Sequence, residues 1–82
     1  SNYDDAIKYF KKSLSINKDP LTLNKIGVVY NYKGDKNRAI KYLEKTLEMD
    51  QNNINANNML IQLYIETGKN KDAERLRKGV TL

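Results

Sequence analysis

The stretch Pro20–Asn53, PLTLNKIGVVYNYKGDKNRAIKYLEKTLEMDQNN, decides the fold, because it reads as two amphipathic helices joined by a glycine turn. Asp19-Pro20 starts the first helix. An Asp carboxylate can accept from the free N–H groups of a first turn, and Pro at the first helical position gives up no hydrogen bond. Leu23, Ile26, Gly27 and Tyr30 then recur at three- and four-residue spacing, which marks one helix face. Gly34 stops this helix, and Asp35 is placed to cap the next, whose apolar set is Ala39, Ile40, Leu43, Leu47 and Met49. Gly27 and Ala39 are small where two helices would meet. Gly in a helix interior costs about 1 kcal/mol, so a packing reason is expected at Gly27. The reading predicts helices over 20–33 and 36–49.

The same register returns on both sides. Ala6, Ala39 and Ala73 recur at intervals of 33 and 34 residues. Around them, Ala6-Ile7, Phe10, Leu14 and Ile16 parallel Ala39-Ile40, Leu43, Leu47 and Met49, while Leu60, Tyr64 and Gly68 parallel Ile26, Tyr30 and Gly34. A period held over that many positions predicts a helical repeat array. The pattern resembles the tetratricopeptide repeat. That family has an aromatic, Leu-Gly and Tyr on the first helix, Gly at the turn, then Ala, an aromatic and a small residue on the second. This chain offers Leu23, Ile26-Gly27, Tyr30, Gly34, Ala39, Leu43 and Thr46, with Leu23 in place of the Trp, Leu43 of the aromatic and Thr46 of the small residue. The resemblance covers almost the whole chain. It implies an all-α fold, a right-handed superhelical array of antiparallel helical hairpins with about five helices. It also implies a single domain over 1–82, in which 1–19 is the second helix of an incomplete repeat, 20–53 a complete repeat, and 54–82 a C-terminal repeat.

The flanking helices are placed by the same register. The first is expected from Tyr3 to Asn17, with Ala6, Phe10 and Ser13 facing an absent partner helix and Ile7, Leu14 and Ile16 facing the next repeat. Asn53 is the expected N-cap of a helix from Ile54 to Thr67, whose apolar set is Ile54, Leu60, Ile61, Tyr64 and Ile65, with Gly68 ending it. The last helix starts at Asn70 or a neighbour and runs through Lys78, with Gly79 as its stop. It carries Glu74, Arg77 and Thr81 where the earlier copies carry Ile7 and Ile40, Phe10 and Leu43, and Leu14 and Leu47. Polar residues there suit a terminal capping helix. The array is therefore expected to be open at its N-terminal end and closed at its C-terminal end.

Composition bounds the chemistry. With no His and no Cys, the usual general base, the thiol nucleophile and most zinc sites are missing, and no disulfide can form. Ser13 and Ser15 lack a base partner. Asp4 and Asp5 are adjacent, so they point apart on a helix, and the four Gly are isolated rather than gathered in a phosphate loop. Glu44 and Glu48 lie one turn apart, but Lys41 and Lys45 flank them and favour a solvated face over a cation site. A non-catalytic chain with no cofactor and no metal is expected. No segment is apolar for long enough to span a membrane. The absence of Cys fits a cytoplasmic protein and leaves secretion open. The abundance of Asn and Lys has a bland reading in A/T-rich codon usage. An 82-residue array buries a modest core, so marginal stability is expected.

What remains is surface. In tetratricopeptide arrays the first helices line a concave groove. By that resemblance the groove takes Leu21, Asn24, Lys25, Val28, Asn31 and Tyr32 from one repeat and Asn55, Asn58, Met59, Gln62, Ile65 and Glu66 from the other. Asn24 and Asn58 share one register, and an Asn amide, both donor and acceptor, can hold a peptide backbone without reading its side chains. The implied function is a protein-interaction scaffold for a peptide or protein segment. The carboxylate clamp of co-chaperone members is not matched in either register: Asn24 and Val28 stand where its leading Lys and Asn would be, or else Lys25, Asn55 and Met59 replace its Asn, Lys and Arg. A second reading is a homo-oligomer built through Tyr3, Ala6 and Phe10. A third is nucleic-acid binding, suggested by a net charge of +5 and by the registers Lys8, Lys41, Arg75 and Lys12, Lys45. Asp5, Glu44, Glu48 and Glu74 interrupt that stripe, and no Arg or aromatic cluster for base stacking is evident, so nucleic acid ranks last.

Overall fold

A computed structural model describes residues 2–79, which form helices joined by short turns, with no strand among the described residues. Five helices follow in order: α1 Asn2–Ile16, α2 Pro20–Lys33, α3 Lys36–Met49, α4 Ile54–Glu66 and α5 Asn70–Arg77. Each packs on its sequence neighbour, so the chain is a row of helical hairpins. The Cα atoms span 34 × 24 × 14 Å. The thin dimension is about the Cα depth of two packed helices, so every helix keeps a face near solvent.

Local chemistry sets the helix ends. The Asp19 carboxylate accepts from the Thr22 N–H at 2.9 Å, Asp35 from the Arg38 N–H at 3.1 Å, and Asn53 from the Ala56 N–H at 3.0 Å. The hairpin turn is written twice in the same geometry. Gly34 and Gly68 sit at φ 97° and 81°, a region that favours Gly. In each turn the following N–H, of Asp35 or Lys69, donates to the carbonyl of Tyr30 or Tyr64, at 2.9 and 2.7 Å.

One apolar core runs through the array. It joins Ile7 of α1, Ile26 and Tyr30 of α2, Ala39, Ile40, Leu43 and Leu47 of α3, Ala56, Leu60, Leu63 and Tyr64 of α4, and Ala73 and Leu76 of α5. Gly27 has the packing reason the sequence predicts. A Cβ there would stand 3.0 Å from Leu43 Cγ, 3.1 Å from Leu43 Cδ2 and 3.3 Å from the Ala39 carbonyl oxygen. The second hairpin solves the same contact the other way round. Ile61, half-buried against the core, holds the register of Gly27, while Arg77, in the register of Leu43, is exposed. Bulk has moved from the second helix of the hairpin to the first.

Three apolar residues expected on buried faces lie in solvent: Ile16, Met49 and Ile54 are 82%, 48% and 73% exposed, while Ile65, read into both the apolar set of α4 and the groove, is 42% exposed. Ile16 and Met49 each follow a core-facing Leu by two residues, and a two-residue step turns a helical side chain to the far side. On α4 the buried set is Ala56, Leu60, Leu63 and Tyr64, an i, i+4, i+7, i+8 stripe. Ile54 stands two residues before it, and Ile65 flanks it. Phe10 differs in part from its expected outward position: it is half-buried against the core, with Tyr9 edge-on to its ring at 5.6 Å. On α5, Glu74 and Arg77 are exposed and Ala73 and Leu76 buried, and the helix ends one residue short of Lys78. Thr81 lies outside the described residues.

Two ion pairs stitch neighbouring helices at one end: Lys33 of α2 to Asp4 of α1 at 2.5 Å, and Lys36 of α3 to Glu66 of α4 at 2.9 Å. Both are partly exposed and stabilise little by themselves. A more enclosed link joins α3 to α4, where the buried Tyr64 hydroxyl donates to the Glu44 carboxylate. Glu44 is therefore half-buried and engaged, not a member of a solvated acidic pair, while Glu48 remains exposed.

Candidate functional site

The residues read as a groove lie on α2 and α4, and their environments differ along it. On α2, Lys25 and Tyr32 are exposed, while Val28 and Asn31 are half-buried. Lys25 extends along α1 and sets its ammonium 5.7 Å from the Phe10 ring centroid. On α4, Asn55, Asn58 and Gln62 are exposed, and Met59 packs partly against the core. Gln62 donates to Glu66 at 3.0 Å, one helical turn on. That bond and Lys36 hold the Glu66 carboxyl below its ordinary range. Tyr32, Ile65 and Leu21, at 66%, 42% and 59% exposure, add apolar surface to the two helices.

Asn24 is the exception. It shares its register with Asn58, yet it is nine-tenths buried, and its Oδ1 has no hydrogen-bond partner. Leaving a buried acceptor unsatisfied costs about 1–3 kcal/mol. Neither neighbour on the helix requires it: Leu23 is core, and Lys25 is solvated. Sequence reading placed Asn24 on the groove but gave no sign of its burial, because a polar residue is expected outside.

A cleft of about 290 Å³ opens elsewhere, between the start of α4 and the end of α5, lined by Asn53, Ile54, Asn57, Leu76 and Arg77 among others. It does not include the groove residues of α2.

Sequence reading also found no aromatic cluster beside the basic residues of α1 and α3. The fold makes one: Tyr30 and Tyr42, twelve positions apart, stack at 5.6 Å and 24° with Lys11, Arg38 and Lys45 around them. Only the closing of the α2–α3 hairpin brings the two rings together, so linear spacing carried no signal. Among the described residues no group of three or more His, Cys, Asp or Glu could hold a metal ion, and no helix is long and apolar enough to cross a membrane.

Comparison with known families agrees with the geometry. One tetratricopeptide repeat model matches residues 32–81, more than half of the chain, and a second matches residues 1–20. No curated protein matches the chain. Tetratricopeptide repeats generally mediate protein–protein interaction, on scaffolds that are generally non-catalytic. With the repeated Gly-turn hairpins, the close contact at Gly27 and both family matches agreeing, the chain belongs to the tetratricopeptide repeat family.

Proposed function

We propose that the chain is a non-catalytic interaction module that holds an extended peptide segment of a protein partner along α2 and α4. Asn24 carries this reading. Its amide is retained in a buried position where an apolar residue would avoid an unsatisfied oxygen. With Oδ1 turned inward, the amide N–H₂ is the end left to a ligand. Asn58 repeats the amide one repeat on, with Gln62 a turn beyond it. Together they offer donors and acceptors suited to a peptide backbone. Asn31 and Asn55 extend the polar row, Tyr32, Met59 and Val28 supply apolar contact, and Lys25 favours an acidic group. The face is short, so affinity is modest, in keeping with a buried area at the small end of specific interfaces.

The test is a paired substitution, Asn24→Leu with Asn58→Leu, read out on peptides selected by display against the wild-type chain. Binding falls at least about tenfold, the worth of one or two lost hydrogen bonds. Thermal stability is unchanged or raised, because Asn24→Leu removes an unsatisfied group. Selected peptides that bind the double variant as well as the wild type refute the proposal.

Self-association through α1 is a second reading, supported by the exposure of Tyr3 and Tyr9 at 45% and 69%. Ala6 and Phe10 contribute less, since both are already half-buried. A concentration-dependent mass in light scattering that Tyr3→Asp abolishes supports it. A constant monomer mass removes it.

A further inference from the structure

Three cations from two helices converge on one pair of rings. The Lys11 ammonium of α1 reaches across to Tyr30 of α2 and Tyr42 of α3, at 5.5 and 6.0 Å from their centroids. Lys45 of α3 stands 5.2 Å from Tyr42, and the Arg38 guanidinium stands 6.0 Å from Tyr30. Arg38 is paired with Asp35 at 3.0 Å. No ion pair involves Lys11 or Lys45 among the described residues. Glu44, the carboxylate one residue before Lys45, is engaged by Tyr64.

We propose that the surface around Tyr30 and Tyr42, where α1 and α3 flank α2, is a second interaction site, for an acidic peptide segment of a protein partner, with Lys11 and Lys45 as its charge. The rings hold the two ammonium groups in place, which lowers the ordering cost of binding an anion. Cation–π contact alone does not account for the pair, since an apolar side chain would cover Tyr42 without leaving unmatched charge on the surface. A carboxylate-rich peptide fits better than nucleic acid. The tyrosine faces are stacked on each other and covered by cations, so none is left for a base.

The experiment is fluorescence anisotropy of labelled decaglutamate, and of decathymidylate with the same label, against the full chain at low salt. Saturable decaglutamate binding is expected, weakening as salt rises. Lys11→Gln with Lys45→Gln lowers the affinity roughly tenfold, as the loss of two partly exposed charge contacts allows. Lys11→Arg with Lys45→Arg keeps it. Asn24→Leu with Asn58→Leu leaves it unchanged, which separates this site from the groove. Should the Gln variant fold poorly, amide chemical shifts of the wild-type chain decide: decaglutamate perturbs α1 and α3 around Lys11 and Lys45. No binding, equal binding by the folded Gln variant, tighter binding of decathymidylate, or shifts confined to α2 and α4 each overturn the proposal.

Discussion

Replacing Gly27 by Ala tests how the central hairpin is packed. Two effects oppose each other. Ala is the better helix former by about 1 kcal/mol. Its Cβ, however, would stand 3.0 and 3.1 Å from Leu43 Cγ and Cδ2 and 3.3 Å from the Ala39 carbonyl oxygen. Leu43 is fully buried, and its Cγ is a branch point rather than a free end, so it cannot swing aside. The carbonyl belongs to the α3 backbone and cannot move alone. Overpacking of this kind costs about 1–3 kcal/mol, so the balance is a loss of about 1 kcal/mol. For a chain of this size that lowers Tm by about 4–8 °C. The assay is thermal unfolding followed by circular dichroism at 222 nm. A second arm places Gly27→Ala on Leu43→Ala, where the obstruction is gone. There the added methyl should stabilise, so that the two substitutions are non-additive by about 1 kcal/mol or more. A Tm raised by Gly27→Ala in the otherwise unaltered chain would refute the reasoning and show that Leu43 yields freely.

Two further outcomes follow from the helix ends and the α3–α4 link. Asp19→Ala removes the acceptor for the Thr22 N–H and should cost about 1 kcal/mol. Lys69→Asp should gain up to about 1 kcal/mol, because α5 begins without a side-chain cap; urea titration reads both. Burial, and then the Glu44 carboxylate, push the Tyr64 phenol above the ordinary tyrosine value of about 10. A raised value in the fold contributes stability that is complete below about pH 10 and lost as pH rises beyond it. Tyr64→Phe should therefore lose about 1–2 kcal/mol at neutral pH and flatten the alkaline decline, measured by denaturation at pH 7 and pH 11.

The helices were legible because their boundaries are local chemistry. Asp19-Pro20, Gly34-Asp35 and Asn53 each state an end in two residues or fewer, and all three caps form. The core of α2 and most of that of α3 followed from period alone. On α4 hydrophobicity misled: Ile54 and Ile65 drew attention from Ala56 and Leu63, whose spacing with Leu60 and Tyr64 is the true stripe. The exchange of Gly27 and Leu43 for Ile61 and Arg77 was half visible, since the polar substitution on α5 stands out while the compensating Ile on α4 reads as ordinary. The groove register came from family resemblance. The orphaned oxygen of Asn24 and the tyrosine pair under Lys11 are products of tertiary packing, which no spacing along the chain encodes.

The most direct measurement of the central claim is an amide chemical-shift map with peptides selected from a displayed library that lacks Asp and Glu, so that the basic surface at Lys11 and Lys45 cannot drive selection. The account predicts perturbations at Asn24, Val28 and Asn31 of α2 and at Asn55, Asn58 and Gln62 of α4, lost together in the Asn24→Leu, Asn58→Leu variant. Perturbations confined to α1, α3 or α5, or a map that the double variant leaves unchanged, would contradict it.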